Sequence, residues 1–366
     1  MQVPLLDLTR QYKDIKDQIM SDITKIFEQQ RFVLGDTVSN FEREFAEYCG
    51  TKFAVGCSSG TDALLMSLIC AGIGKGDEVI TTPFTFFATI ETILRVGAKP
   101  VFVDIDEETF NIDTTRIEEK ITDRTKAIMP VHIFGQMTNM RDIMNISKKH
   151  SLVVIEDAAQ AVGAMWEGKK AGSIGDYGCF SFFPSKNLGC FGDGGAIVTN
   201  SYEDYEKLKS IRQHGLNSKV KYDHNILGGN FRLDAIQAAV LSVKLPHIDK
   251  WNKMRIENAK YYNQSLISAV KTPITSEGAY HVFNQYTIKV NNRDKLSEFL
   301  SSKGIQTAIY YPFSMSNRTA IPLEYQDNNL TVCNEVCTQV LSIPIFPELT
   351  QDEKNEVVSG IEEFLK

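Results

Sequence analysis

Leu152-Val153-Val154-Ile155-Glu156-Asp157-Ala158-Ala159-Gln160 begins with four consecutive apolar residues and turns abruptly to two adjacent carboxylates. A strand with one wet face alternates apolar and polar residues. An unbroken apolar run instead fits a strand covered on both faces, as in a parallel sheet flanked by helices. Working outward, six more short β-rich runs fall at 53–57, 79–82, 100–103, 127–131, 178–182 and 196–199, with helical stretches at 61–71, 90–96 and 140–150 between several of them. Strands alternating with helices predict an α/β fold on a mainly parallel seven-stranded sheet.

Further along, a helix over 204–215 leads into a glycine-bearing polar loop through Gly229, then one long helix is expected over 233–267. It bridges into a new unit with a strand at 285–290, a helix at 294–304 and a closing helix at 352–366. The reading divides the chain into a large domain, residues 1–245, and a small α+β domain, residues 246–366. With no repeat, low-complexity tract or proline-rich linker between them, the two are expected to pack around a shared cleft, where ligands often bind.

Composition narrows the classes. The 366 residues are 43% hydrophobic and 23% charged, which describes a globular protein, and a net charge of −7 with pI near 5.5 argues against a nucleic-acid surface. The longest apolar run, 63–73, is too short to span a bilayer and contains Ser67. Nothing ahead of Leu5-Leu6-Asp7 reads as a signal peptide, and the seven cysteines are odd in number and mostly lie in apolar runs, so a reduced, cytoplasmic protein is expected. Cys333 and Cys337 suit one helix face better than a metal site, and no metal is expected.

Four stretches carry chemistry. At the carboxyl end of the apolar strand, Glu156 and Asp157 must point to opposite faces, so one of them could reach a ligand, or the pair could simply serve a helix N-terminus. Gly56-Cys57-Ser58-Ser59-Gly60-Thr61-Asp62 joins a strand end to a helix start, with free N–H groups suited to a phosphate or to an ordinary cap. Pro83-Phe84-Thr85-Phe86-Phe87 follows another strand end and could offer an aromatic face. In Ser181-Phe182-Phe183-Pro184-Ser185-Lys186-Asn187-Leu188-Gly189, Lys186 sits among aromatic and small residues, with no charged neighbour until Asp193. A desolvated ammonium loses its proton readily and can then form a Schiff base with an aldehyde. His132 also lies at a strand end, where a packed or hydrogen-bonded role is expected rather than a catalytic one. Lys148-Lys149-His150 reads as a solvated helix end.

Together these signals supply what pyridoxal 5′-phosphate needs: a lysine for its aldehyde, an acid for its ring nitrogen, a phosphate cradle and an aromatic face. Their order, with Ser59-Gly60-Thr61-Asp62-Ala63-Leu64, Pro83-Phe84-Thr85-Phe86, Ile155-Glu156-Asp157-Ala158-Ala159-Gln160 and the Lys186 segment in sequence, resembles the DegT/DnrJ/EryC1/StrS aminotransferases, which aminate keto groups on nucleotide-linked sugars. The resemblance runs from Val3-Pro4-Leu5-Leu6-Asp7-Leu8 almost to the C-terminus. It implies a fold-type I aminotransferase in which Lys186 holds the cofactor and shuttles the proton, Asp157 keeps the ring nitrogen protonated, and Gly60, Thr61 and Ser181 hold the phosphate. Gln160 would lie beside the ring and Phe86 on its face. In Gly228-Gly229-Asn230-Phe231-Arg232-Leu233-Asp234, Asn230 would reach the cofactor phosphate of the neighbouring subunit, so the resemblance implies a homodimer with composite sites.

The branch is also suggested. Phe183 stands where enzymes aminating C4 often carry a histidine, and Asp193-Gly194-Gly195 stands for their Glu-Gly-Gly, so the segment is more similar to enzymes acting at C3 of UDP-linked 3-keto N-acetylhexosamines or their uronic acids. The dTDP-3-keto-6-deoxyhexose enzymes more often show Tyr-Pro-Gly-Lys. Substrate positions of the UDP branch match Phe32, Ser185, Arg232, Tyr310 and Tyr311, with Arg232 the natural bidentate partner for a diphosphate or carboxylate. Two departures stand out: Phe32 replaces a tyrosine, and Tyr310-Tyr311-Pro312 replaces His-Tyr-Pro. L-Glutamate is the expected amino donor. Relatives that are sugar dehydratases replace the lysine with histidine, which Lys186 argues against. A regulator with a vestigial site is the reading from a different class.

Overall fold

The computed structural model describes residues 1–217, 220 and 222–366. Seven strands form the main sheet: β1 (Phe53–Cys57), β2 (Glu78–Thr81), β3 (Lys99–Phe102), β4 (Thr125–Ile128), β5 (Val153–Asp157), β6 (Tyr177–Ser181) and β7 (Gly195–Thr199). They lie in the order β1-β7-β6-β5-β4-β2-β3. β7 runs antiparallel to both β1 and β6, and every other pairing is parallel. Antiparallel β7 follows from its short link: the lysine-bearing loop turns the chain straight back from β6, with no helical crossover to make a parallel return.

The apolar runs are buried on both faces, as their sequence requires. Val154 and Phe180 belong to a core beneath α1 (Leu8–Gln29), α2 (Gly35–Cys49) and α7 (Ala235–Lys244), whereas their neighbours Ile155 and Cys179 belong to a core beneath α3 (Gly60–Cys70) and α6 (Tyr202–Ile211). α3 is apolar nearly all round because it is wedged between the sheet, α6 and α4 (Ala88–Arg95). α1 and α2 lie outside the strand–helix alternation read from the sequence. α5 (Met140–His150) has the bounds its periodicity predicts, and its last turn carries Lys148, Lys149 and His150 at the negative end of the helix.

The long helix expected over 233–267 is two helices. α7 ends at Lys244, Leu245–His247 forms a 3-10 turn, and α8 (Ile248–Leu266) follows. Pro246 explains the break, because it lacks the N–H that a continuous helix would bond to residue 242. α8 carries Trp251 into the first core and Ala259, Tyr262 and Leu266 into another. That other core gathers α9 (Arg293–Ser302), α11 (Gln351–Leu365) and a two-stranded antiparallel sheet of β8 (Tyr286–Lys289) and β9 (Val340–Ile343). Val3 is buried in it, held between Gly304 and Gln306 by backbone bonds of 2.9 Å each.

All seven cysteines are free and buried, and Cys333 and Cys337 stack on α10 (Thr331–Gln339) with sulfurs 3.9 Å apart. Among the described residues, no helix is long and apolar enough to cross a membrane.

One tight backbone approach is at Gly178 in β6, where an added Cβ would lie 2.2 Å from the Gly172 Cα. Neither main chain can yield without breaking β6 pairing. Gly178→Ala is expected to lower the unfolding free energy by about 2 kcal/mol or more. Gly74→Ala, whose Cβ would meet nothing nearer than 3.7 Å, should stay within about 0.5 kcal/mol. Urea denaturation of the two variants checks both.

Candidate functional site

The carboxyl ends of β2, β4 and β5 open with the β6–β7 loop into one cleft of about 650 Å3. Glu156 and Asp157, the last residues of β5, do point to opposite faces. Glu156 is fully buried and accepts from four donors: His132 Nε2 at 2.8 Å, and the N–H groups of Gly172, Ile174 and Gly175 at 2.8, 2.9 and 2.6 Å. His132 Nδ1 accepts from the Thr138 N–H at 3.2 Å, so the ring hydrogen sits on Nε2 and is donated to Glu156. Burial pushes Glu156 up, yet His132 and the backbone donors together hold it below the usual carboxylate range. His132 is therefore a structural, hydrogen-bonded histidine.

Asp157 faces the cleft. Its Oδ2 accepts from the Thr89 hydroxyl at 2.8 Å and its Oδ1 from the Ala159 N–H at 3.2 Å. Burial raises its pKa, with Thr89, Ala159 and the Lys186 charge opposing. Lys186 lies in the same cleft. Burial pushes its ammonium down to about 8, and only the Asp157 carboxylate pulls the other way.

The loop that presents Lys186 is pinned from below. Cys190 and Gly194 bracket Phe182 with backbone bonds of 2.8 Å, and buried Lys244 donates to the Gly189 carbonyl at 2.6 Å. Asn187, the next residue after the lysine, donates to Asn252 Oδ1 on α8 at 2.7 Å and accepts from Asn284 Nδ2 at 2.9 Å.

At the head of α3, Ser59 caps the helix by accepting from the Asp62 N–H at 3.0 Å, which leaves the Gly60 and Thr61 N–H groups ahead of that cap. A Cβ on Gly60 would lie 2.7 Å from the Ser181 Cβ, so only glycine lets the helix start come this close to the end of β6. Gly60, Thr61 and Ser181 thus share one corner of the cleft. Phe86, 61% exposed, lines the cleft, whereas Phe84, two residues before it, is buried. Gln160 is fixed at both ends, its oxygen accepting from the Phe134 N–H at 2.7 Å and its nitrogen donating to the Tyr311 hydroxyl at 3.2 Å.

Of the residues singled out in the sequence, Lys186, Asp157, Gly60, Thr61, Ser181, Phe86, Gln160, Ser185, Tyr310 and Tyr311 line this cleft. Phe32, Asn230 and Arg232 stand apart from it and near one another. Phe32 accepts from the Ala235 N–H at 3.0 Å, Arg232 bridges the end of β1 at Cys57, and Asn230 is exposed beside Gln213. The cleft also contains Thr85, Thr89 and Gln285, which the sequence reading passed over. The spacing of Thr85 and Thr89 at the start of a helix was the available signal.

A family model described as the DegT/DnrJ/EryC1/StrS aminotransferase family matches residues 13–362. A protein of Geobacillus stearothermophilus named "Pleiotropic regulatory protein" is 48% identical over 100% of this chain and 99% of its own length. The UDP-N-acetyl-3-dehydro-alpha-D-glucosamine 3-aminotransferase of Acidithiobacillus ferrooxidans is 43% identical over 98% and 97%. The dTDP-3-amino-3,6-dideoxy-alpha-D-galactopyranose transaminase of Aneurinibacillus thermoaerophilus is 40% identical over 99% of each. Among solved structures, NtdA from Bacillus subtilis with bound cofactor PMP superposes with a TM-score of 0.93 at 32% identity, covering 100% of this chain and 85% of that one.

The electrostatics of the pair can be measured on cofactor-free protein. Below pH about 8 Lys186 is an ammonium and above it a free amine. Its reductive methylation by formaldehyde and borohydride, followed residue by residue by peptide mapping, should rise through that midpoint, well below that of surface lysines. Because the Asp157 charge favours the ammonium, Asp157→Asn should move the midpoint lower still.

Proposed function

The chain belongs to the DegT/DnrJ/EryC1/StrS aminotransferase family, and from that premise we propose that it moves an amino group from L-glutamate to C3 of a UDP-linked 3-keto sugar, UDP-3-oxo-GlcNAc or its uronic acid. The product class is a cytoplasmic precursor for bacterial surface glycans such as lipopolysaccharide. The observation that supports this reading is the convergence of Lys186, Asp157, Gly60, Thr61, Ser181 and Phe86 in one cleft.

The cofactor of the family is pyridoxal 5′-phosphate, and the donor set fits it. The approach of Gly60 to Ser181 leaves a corner with N–H and hydroxyl donors for a phosphate, Asp157 presents a buried acceptor, and Lys186 is an amine that burial lets lose its proton at about pH 8. When bound, this group supplies an aldehyde carbon to carry nitrogen and a ring that takes up the electrons of a broken C–H bond.

In this reading Lys186 Nζ would hold the aldehyde carbon between turnovers and, once displaced, would move the proton between the carbons that exchange it. Asp157 would hold a proton on the ring nitrogen, and Phe86 would cover the ring. Gln160 is oriented by Phe134 and in turn orients Tyr311, whose hydroxyl burial keeps protonated, so Tyr311 can donate into the cleft toward a sugar oxygen. Ser185 and Tyr310 border the same space. Phe32, Arg232 and Asn230 act in the partner's cleft of a homodimer, and the chain divides at about residue 245 into cofactor-binding and small domains.

The name of the 48% identical Geobacillus stearothermophilus relative favours a second reading, a regulator that keeps the site without using it. The two separate on purified protein. The enzyme reading expects a yellow protein that borohydride bleaches, leaving the cofactor on Lys186 by peptide mapping. It also expects glutamate-dependent amination of a UDP-linked 3-keto sugar, with Lys186→Ala lowering turnover by about a thousandfold or more. A yellow protein inert towards UDP- and dTDP-linked 3-keto and 4-keto sugars supports the regulator. Preference for a dTDP-linked or 4-keto sugar would sink the substrate assignment while leaving the family intact.

Shared sites have their own test. Lys186→Ala and Asn230→Ala chains, each impaired alone, should regain activity when mixed and allowed to exchange subunits, since one of the two clefts in the mixed dimer then holds both native residues. No recovery would place Asn230 in its own chain's site.

A further inference from the structure

Two buried hydroxyls border the cleft beside Asp157, and the proposed chemistry uses neither. Thr85 and Thr89 are each 1% exposed, the first just ahead of α4 and the second in its first turn. Thr85 Oγ1 lies 2.7 Å from Thr89 Oγ1, which lies 2.8 Å from Asp157 Oδ2. Hydrogen count sets the direction. An ionised carboxylate only accepts, so the one hydroxyl hydrogen of Thr89 goes to Asp157, and the Thr89 oxygen must take the hydrogen of Thr85. A hydroxyl that accepts while it donates is a stronger donor than a solitary one. With Ala159 N–H on Oδ1, each oxygen of Asp157 is anchored by one donor and keeps acceptor capacity on the cleft side. Burial disfavours the carboxylate charge, and among the groups that oppose it Thr89 ranks first.

We propose that Thr85 and Thr89 are a positioning relay, which holds the Asp157 carboxylate as an oriented acceptor for a protonated heteroaromatic nitrogen in the cleft. The proposal rests on the assignment of Asp157 to the ring nitrogen of the cofactor. It distinguishes the pair from packing threonines, whose methyl groups alone would matter. Valine keeps the shape of threonine and removes the hydroxyl, whereas serine keeps the hydroxyl and removes the methyl.

The test is binding to full-length, cofactor-free protein, measured by equilibrium dialysis with pyridoxamine 5′-phosphate and with its 1-deaza analogue, in which C–H replaces the ring nitrogen. Native protein should prefer the nitrogen compound. Thr89→Val should lose about tenfold in affinity for it, the worth of one hydrogen bond to a charged group, while binding the deaza compound as native protein does. Thr89→Ser should stay within about twofold of native. Thr85→Val, which leaves the Thr89–Asp157 bond in place, should show the same selective loss at smaller size and supports the relay even if Thr89→Val does not fold. Equal losses on both compounds indicate packing and overturn the proposal, as does no loss on either. If native protein binds both compounds alike, the Asp157 assignment fails first and the relay with it. A native preference that Thr89→Val retains defeats the relay alone.

Discussion

The buried Glu156 carboxylate is the fixed point of this architecture. It has no contact with water, so its charge must be met inside the protein, and four donors from two separate segments meet it. His132 brings the loop after β4, and the turn at Gly172–Gly175 brings the approach to β6. The backbone repeats the tie: the Asp157 N–H donates to the Pro130 carbonyl at 2.9 Å and the His132 N–H to the Asp157 carbonyl at 3.0 Å. Since adjacent strand residues face opposite ways, anchoring Glu156 on one face fixes where Asp157 points on the other. Asp157 is thus aimed into the cleft by a neighbour that takes no part in it.

Lys186 and Asp157 act on each other through that geometry. Removing water from both destabilises both charges, and each is the other's favourable term: Asp157 holds the ammonium up, while Lys186 holds the carboxylate down. Burial prevails at the lysine, which brings it close to neutral pH, where an amine is available without a strong base. At Asp157 the opposition is shared among Thr89, Ala159 and Lys186. If Lys186 were made neutral, the two neutral hydrogen bonds would remain as local support. The Thr89 hydroxyl is one of those two bonds, and Thr85 supports it in turn.

Much of the sheet and many of the residues that line the cleft were legible in the chain, because both follow from local rules. Short β-rich runs located the seven main strands to within one to three residues, the largest miss being at β4, and a small-residue turn before Thr61, an acid pair after Ile155 and a lysine among apolar neighbours stood at the strand ends where ligands bind. The resemblance turned that order into roles. What escaped has physical reasons too. Pro246 was overlooked inside an otherwise helical pattern. α1 and α2 owe their places to packing against α7, a contact across some two hundred residues that no local pattern encodes. The spacing of Thr85 and Thr89 went unread because threonines near a helix start are ordinary until Asp157 is seen 2.8 Å from one of them.

The loop carrying Lys186 shows why cleft-lining positions can be read locally while Phe32 and Arg232 cannot be placed that way. Lys186 owes its placement to buried partners: Asn187 bonded to Asn252 and Asn284, Gly189 to Lys244, and Phe182 between Cys190 and Gly194. A buried amide left unpaired costs on the order of 1–3 kcal/mol, so the Asn187–Asn252–Asn284 set favours one register of the loop and penalises its neighbours. Because α8 and the segment before β8 supply two of those amides, the reactive lysine is also tied to the second core. Phe32 and Arg232 have no comparable anchorage in the cleft. They flank a strip along Leu233–Ala235, next to the end of β1, where Arg212 bonds Glu42 and the Gly56 carbonyl. A binding surface assembled from such a strip and a neighbouring cleft takes its specificity from how two rigid pieces meet. The signature of such a surface lies in their juxtaposition, and no single run of residues contains it.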